Sequence, residues 1–153
     1  MTNGVLFEVN MLVREHIRKC PDILVIFGDN LERAGYGGQA RECRDEPNCL
    51  GIVVKRRPSK DIGAYFTDDD VGEIGTMIEE GFARAIAHLK EGKHVAYPSR
   101  GIATGYALLE VTSPKLMSCV HDGERALWHV AHAVYNTRNL YDVWQELDRP
   151  KDS

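Results

Sequence analysis

A chain of 153 residues has room for one domain with its own hydrophobic core. The hydrophobic share of 43% and the charged share of 27% exclude a disordered or fibrous polypeptide. With 19 Lys and Arg against 23 Asp and Glu, the net charge is −4, so no global cationic field exists to hold nucleic acid.

In chain order, Val5–Val9 alternates weakly and predicts a short first strand. Leu12, Val13, His16, Ile17 and Cys20 share one helical face, and Pro21 ends that helix. The run "ILVIFG" (Ile23–Gly28) is short, apolar and β-branched, which predicts a central strand buried on both faces. "LGIVVK" (Leu50–Lys55) and "HVAYP" (His94–Pro98) read the same way. Between them Ile74, Met77, Ile78, Phe82, Ala85, Ile86 and Leu89 follow helical spacing, with Asp69 or Asp70 as the cap and Gly92 as the stop. Ser113-Pro114 predicts a cap and first helical position. Leu127, Val130, Ala131 and Val134 form a further apolar stripe, and Leu140, Val143, Trp144 and Leu147 a short amphipathic helix. Residues 1–148 are expected to form the single domain, and 149–153 a frayed tail.

Strands alternating with helices predict an α/β sandwich with a mostly parallel central sheet. In such sheets ligands bind beyond the carboxyl ends of the strands. Three loops then share one rim: Gly28–Gln39, Arg56–Asp70 and Ser99–Gly105. The first holds Asp29, Asn30, Gly35, Gly37, Gly38 and Gln39. Its glycines permit close approach of a ligand to the main chain, and the turn feeds a helix start at Gln39 suited to an anion. Asp29 and Asn30 offer acceptors and a donor to a purine amine or to ribose hydroxyls. The alternative is two tight turns with Asp and Asn as turn formers. The spacing fits neither a Walker A loop nor a GxGxxG fingerprint.

The third loop, "PSRGIATG", adds Ser99, Gly101, Thr104 and Gly105. Two glycine-bearing loops on one rim are what is needed to wrap a diphosphate from both sides. In the middle loop Lys55 sits at a strand end, where an ammonium meets phosphate, within a basic stretch continued by Arg56, Arg57 and Lys60. Asp68, Asp69 and Asp70 are read as a helix cap in preference to a metal site. Arg41, Arg44 and Asp45 offer either an internal ion pair or a phosphate contact. His129 and His132 share a helix face and are read as solvated or core side chains. Cys20, Cys43, Cys49 and Cys119 form no CxxC pair, and no metal or cofactor is expected. Cys43 and Cys49 lack a partnering His, and Ser99 lies in no GxSxG elbow. No apolar stretch reaches membrane-spanning length and no signal core opens the chain, so a cytoplasmic location without membrane partners is expected.

The segments "VIFGDNLERAGYGGQARECRDEPNCLGIVVKRRPS", "AYFTDDD" and "VAYPSRGIATGYALLEVTSP" resemble a family of small, mostly uncharacterised phage and bacterial proteins. Its members read FGDNL, GxGGQA, RxEPN, GIPTK, YFxD and GIGTG in order, and the likeness covers about residues 22–114. The layout is similar to macro domains, which bind ADP-ribose. The resemblance implies a three-layer macro-like sandwich with a mostly parallel mixed central sheet. It points to Gly28, Asp29, Asn30, Gly35, Gly37, Gly38, Gln39, Arg44, Asn48, Lys55, Asp68, Gly101, Thr104 and Gly105, beside Ser99 of the same loop. Val53-Val54 stands where the family has Pro-Thr, and Ala103 where it has a glycine. The implied function is binding of ADP-ribose or a related nucleotide, with hydrolysis of an ADP-ribosyl or phosphoryl derivative as an extension. Asn30 would then orient a water, and Asp29 would act as base or ribose anchor. A phage origin would place the protein in the host cytoplasm, acting on a host nucleotide signal. The rival expectation is a protein-interaction module that presents Lys55–Lys60, Trp128 and Trp144 to a protein partner.

Overall fold

Along the central strands, successive side chains enter two different cores. Ile26 joins one, while Val25 and Phe27 join the other, which is the period-two pattern of a sheet covered on both faces. A computed structural model describes residues 2–147. The strands are β1 (Leu6–Val9), β2 (Leu24–Asn30), β3 (Cys49–Lys55), β4 (Val95–Pro98) and β5 (Val134–Thr137). The helices are α1 (Arg14–Lys19), α2 (Ala40–Cys43), α3 (Val71–Lys90), α4 (Leu109–Thr112), α5 (Pro114–Val130) and α6 (Leu140–Leu147).

The strands form one five-stranded sheet in the order β3-β2-β4-β1-β5. Every pairing among the described residues is parallel, so the sheet expected to be mostly parallel is parallel throughout them. β1→β2 and β2→β3 step toward the β3 edge and carry α1 and α2 on one face, with Ile17, Ala40 and Cys43 in its core. β3→β4 and β4→β5 step the other way and carry α3 and α5 on the opposite face, with Ile78, Phe82, Leu116 and Leu127 in that core. Right-handed crossovers require this change of face when the direction of travel reverses. Helices on both faces of one sheet make the three-layer sandwich that the alternation of elements predicts.

The stripe ending in Val134 divides differently from the sequence expectation. α5 stops at Val130, and Val134 opens the edge strand β5, where it is exposed. The Pro-capped start is as expected: the Ser113 hydroxyl accepts the Leu116 N–H at 3.2 Å. The expected tail, 149–153, lies outside the described residues.

Candidate functional site

β2 and β4 are neighbours whose onward connections leave to opposite faces, so a crevice opens between their carboxyl ends. They pair only through Leu24–Val25 and Val95–Ala96, and the strands part beyond that. The side chain of Gln39 closes the gap. Its Oε1 accepts the Gly28 N–H at 2.8 Å, and its Nε2 donates to the Gly101 carbonyl at 2.9 Å. A Cβ on Gly28 would collide with the Ile102 carbonyl oxygen, so the close approach that this glycine permits is made by the chain's own β4 loop.

The rest of the first loop is tied to itself in the same way. Asp29 is buried, and its carboxylate accepts from Arg44 at 2.5 Å, from Arg33 at 3.1 Å and from the Asn30 N–H at 2.8 Å. A proton acceptor at Asp29 would first have to leave these partners. Asn30 Nδ2 donates to the Ala34 carbonyl at 2.7 Å. Arg44 also donates to the Gly35 carbonyl at 2.5 Å, so it serves as an internal ion-pair partner. Gly35 and Gly38 take left-handed φ values of 90° and 56°, and Gly37 has open space where a side chain would go.

Other predicted residues are placed elsewhere. Lys55 ends β3 beside Asn30, with its ammonium 4.7 Å from the centre of the Tyr65 ring. Partial burial, with Lys60 nearby, holds its pKa below the ordinary lysine value. Asp68 accepts from the Ser113 hydroxyl at 2.8 Å and the Lys115 N–H at 3.1 Å, and so fastens the start of α5. The acidic run lies at the start of α3 as expected, but the capping side chain is Thr67, whose hydroxyl accepts the Asp69 N–H while Asp70 accepts the Thr67 N–H. Asp70 makes no side-chain cap bond to α3 itself and pairs with Arg56 at 2.7 Å. Asn48 precedes β3 at the amino edge of the sheet, where its Nδ2 meets the carbonyls of Ile17, Cys20 and Ile23. The structure therefore does not bring Asn48 to the rim. Thr104 donates to the Arg100 carbonyl at 3.0 Å, and Gly105 is exposed with φ 66°.

Ser99 and Gly101 meet a different set of side chains. Together with Tyr97 and Pro98 they form one wall of a cleft of about 680 Å³. The other wall is α5, through His121, Glu124, Arg125, Trp128 and His129. The Tyr97 hydroxyl, on a residue with 1% exposure, donates to Glu124 Oε2 at 2.6 Å. Burial, reinforced by the Glu124 charge, pushes the Tyr97 phenol far above its ordinary pKa and keeps it a donor. His121 Nδ1 lies 3.1 Å from Glu124 Oε1 and donates to it when that nitrogen carries the proton. The Trp128 ring stands edge-on to Tyr97 with centroids 5.2 Å apart, and its Nε1 donates to Glu8 Oε1 at 3.0 Å. Arg125 is exposed and pairs with Asp122.

His121, Glu124 and Arg125 sit in no sequence motif, and Tyr97, although inside the "VAYPSRGIATG" segment, is not marked there as a site residue. The available signal is the spacing 121, 124, 125, 128, 129 in "HDGERALWH", which puts polar and aromatic side chains along one helical face.

A family model described as a family of unknown function (DUF7831) matches residues 7–123. The chain belongs to that family. No curated protein and no solved structure matches it. The matched span includes β2, the three rim loops and, on the α5 wall of the cleft, His121. It stops just short of Glu124, Arg125 and Trp128.

Proposed function

We propose that the protein binds a nucleotide-type diphosphate ligand of the ADP-ribose class in the cleft between the Ser99–Gly101 turn and α5. The observation that carries this reading is the meeting of Ser99 and Gly101 with Arg125, His121, His129 and Trp128 around one concavity. Its volume, about 680 Å³, lies within the ~300–1,000 Å³ of small-molecule sites. The guanidinium suits the charge of a diphosphate, the two imidazoles offer it N–H donors, and the indole offers a flat apolar surface to a base. The position, beyond the carboxyl end of a central strand, is where parallel α/β sheets hold ligands. The resemblance to the phage and bacterial family, and through it to macro domains, supplies the ADP-ribose class. In this reading the first glycine loop builds the rim through Gln39, and Asp29 and Asn30 hold that loop without touching ligand.

Thermal unfolding with ADP-ribose, AMP, ATP and NAD tests the proposal. At a hundred times its dissociation constant a ligand adds about 2.7 kcal/mol, a rise of roughly 5–11 °C for a domain of this size. The expected result is a rise with ADP-ribose that Arg125→Ala removes while leaving the unliganded midpoint in place. No rise with any of the four overturns the reading and favours a protein-interaction module. A rise accompanied by loss of ligand over time would add hydrolysis.

A further inference from the structure

Among the described residues Glu124 is the one acidic side chain lining the cleft, where it stands beside the Arg125 guanidinium and the imidazoles of His121 and His129. A diphosphate alone does not call for a carboxylate there, since like charges repel at close range. Glu124 is also held on both oxygens. Tyr97, fixed in the core, donates to Oε2 at 2.6 Å, and His121 faces Oε1 at 3.1 Å. The Glu124 side chain keeps 21% exposure, and Oε2 lies 3.8 Å from where a Cβ on Gly101 would stand. The carboxylate is thus oriented from behind and faces the turn on the opposite wall. An ionised carboxylate has about four acceptor sites. With Tyr97 donating to Oε2, and His121 donating to Oε1 in the tautomer that carries its proton on Nδ1, each oxygen retains an acceptor.

From this arrangement we infer that Glu124 recognises a pair of neighbouring hydroxyl groups on the ligand, the mark of a ribose or other sugar. This rests on the cleft being the binding site. A sugar diol donates one hydrogen bond to each carboxylate oxygen, while the phosphates turn toward Arg125 and His129. Tyr97 acts as a positioning residue, since its buried hydroxyl is engaged in fixing the carboxylate. The same negative charge makes the cleft selective, because a diphosphate lacking the sugar meets Glu124 with nothing to donate.

Titration calorimetry on the whole chain tests this with two probes, ADP-ribose and inorganic pyrophosphate, against the wild type, Glu124→Gln and Tyr97→Phe. In Glu124→Gln, ADP-ribose is expected to weaken roughly ten- to hundredfold, the span of hydrogen bonds to a charged group. Pyrophosphate is expected to bind as well as before or better, because a repelling charge has gone. Tyr97→Phe is expected to reduce the preference for ADP-ribose over pyrophosphate in the same direction by a smaller factor. Far-UV circular dichroism and unliganded melting establish that each variant is folded. Equal weakening of both probes, or unchanged ADP-ribose affinity in folded Glu124→Gln, overturns the assignment of Glu124 and leaves the cleft as a binding site. Failure of the wild type to bind ADP-ribose overturns both.

Discussion

The Asp29 carboxylate meets the Arg44 guanidinium at 2.5 Å, with side-chain exposures of 3% and 9%. A pair this dry adds little when compared with an apolar substitute, but removing one partner strands the other charge. Arg44→Ala is therefore expected to cost about 3 kcal/mol, the low end for a broken buried pair, since Arg33 stays within reach of Asp29. Urea unfolding would read the loss as a lower midpoint. The glycines of the rim divide by what lies beside them. Gly28→Ala drives a methyl into the Ile102 carbonyl and is expected to destabilise strongly, whereas Gly37→Ala meets open space and is expected to stay within about 0.5 kcal/mol of the wild type. The sequence marked all these positions as special without showing what they serve. "GDN" and "GYGGQ" announce unusual backbone, but whether the neighbour is ligand or protein depends on Ile102 and Gly101, more than sixty residues further along the chain. Glu124 and Tyr97 were harder still. They are 27 residues apart, one on a helix and one on a strand, and nothing in the "VAYPSRGIATG" segment that holds Tyr97 points to Glu124.

At the scale of elements, the joint between the Asp68–Asp70 turn and α5 shows how a short acidic run is used. Asp68 takes a hydroxyl from Ser113 and an N–H from Lys115, and these two bonds hold its pKa below the ordinary 3.8. A depressed carboxylate stabilises the fold above its unfolded pKa, and the contribution disappears as the pH falls through the folded value. Asp68→Asn is therefore expected to melt below the wild type at neutral pH, with the gap beginning to close once the pH drops under 3.8 and vanishing in stronger acid. A gap that stays constant through that acid range would show that the charge on Asp68 is idle. The element pattern itself was largely legible. Ile23–Gly28 reads as a central strand because apolar side chains on both faces leave a continuous run, and α3 reads as a helix because only one of its faces is buried. β5 was hidden for the opposite reason. It is an exposed edge strand of four residues whose Val134 fits the period of the preceding helix, so spacing alone extended that helix.

For the whole molecule, the decisive feature is that both hydrophobic cores hang on the same five strands. Within β2, Val25 and Phe27 anchor the layer containing α1, α2 and α6, and Ile26 anchors the layer containing α3 and α5. Neither layer can be stripped away without exposing one face of strands whose other face remains packed. The rim loops span this same division, since Gln39 leads into α2 while the Gly101 loop leads toward α5. Such coupling predicts one cooperative transition, as single domains of about this size usually show. Ile17 and Ile78 are both fully buried, one in each core. Ile17→Ala and Ile78→Ala are each expected to lower stability by about 2–5 kcal/mol. Each should do so without splitting the transition: far-UV circular dichroism, tryptophan fluorescence and the reactivity of the buried Cys43 thiol should share one midpoint in each variant. Cys43 lies in the core of Ile17, while Trp128 packs against the core of Ile78, and a Trp144→Phe background leaves Trp128 as the sole tryptophan fluorophore. If Cys43 became reactive at lower denaturant in Ile17→Ala while the fluorescence midpoint stayed at its wild-type value, the two layers would be independent. The cleft could then survive loss of the opposite layer. A shared midpoint means instead that the geometry around Glu124 is secured by the packing of the entire sheet.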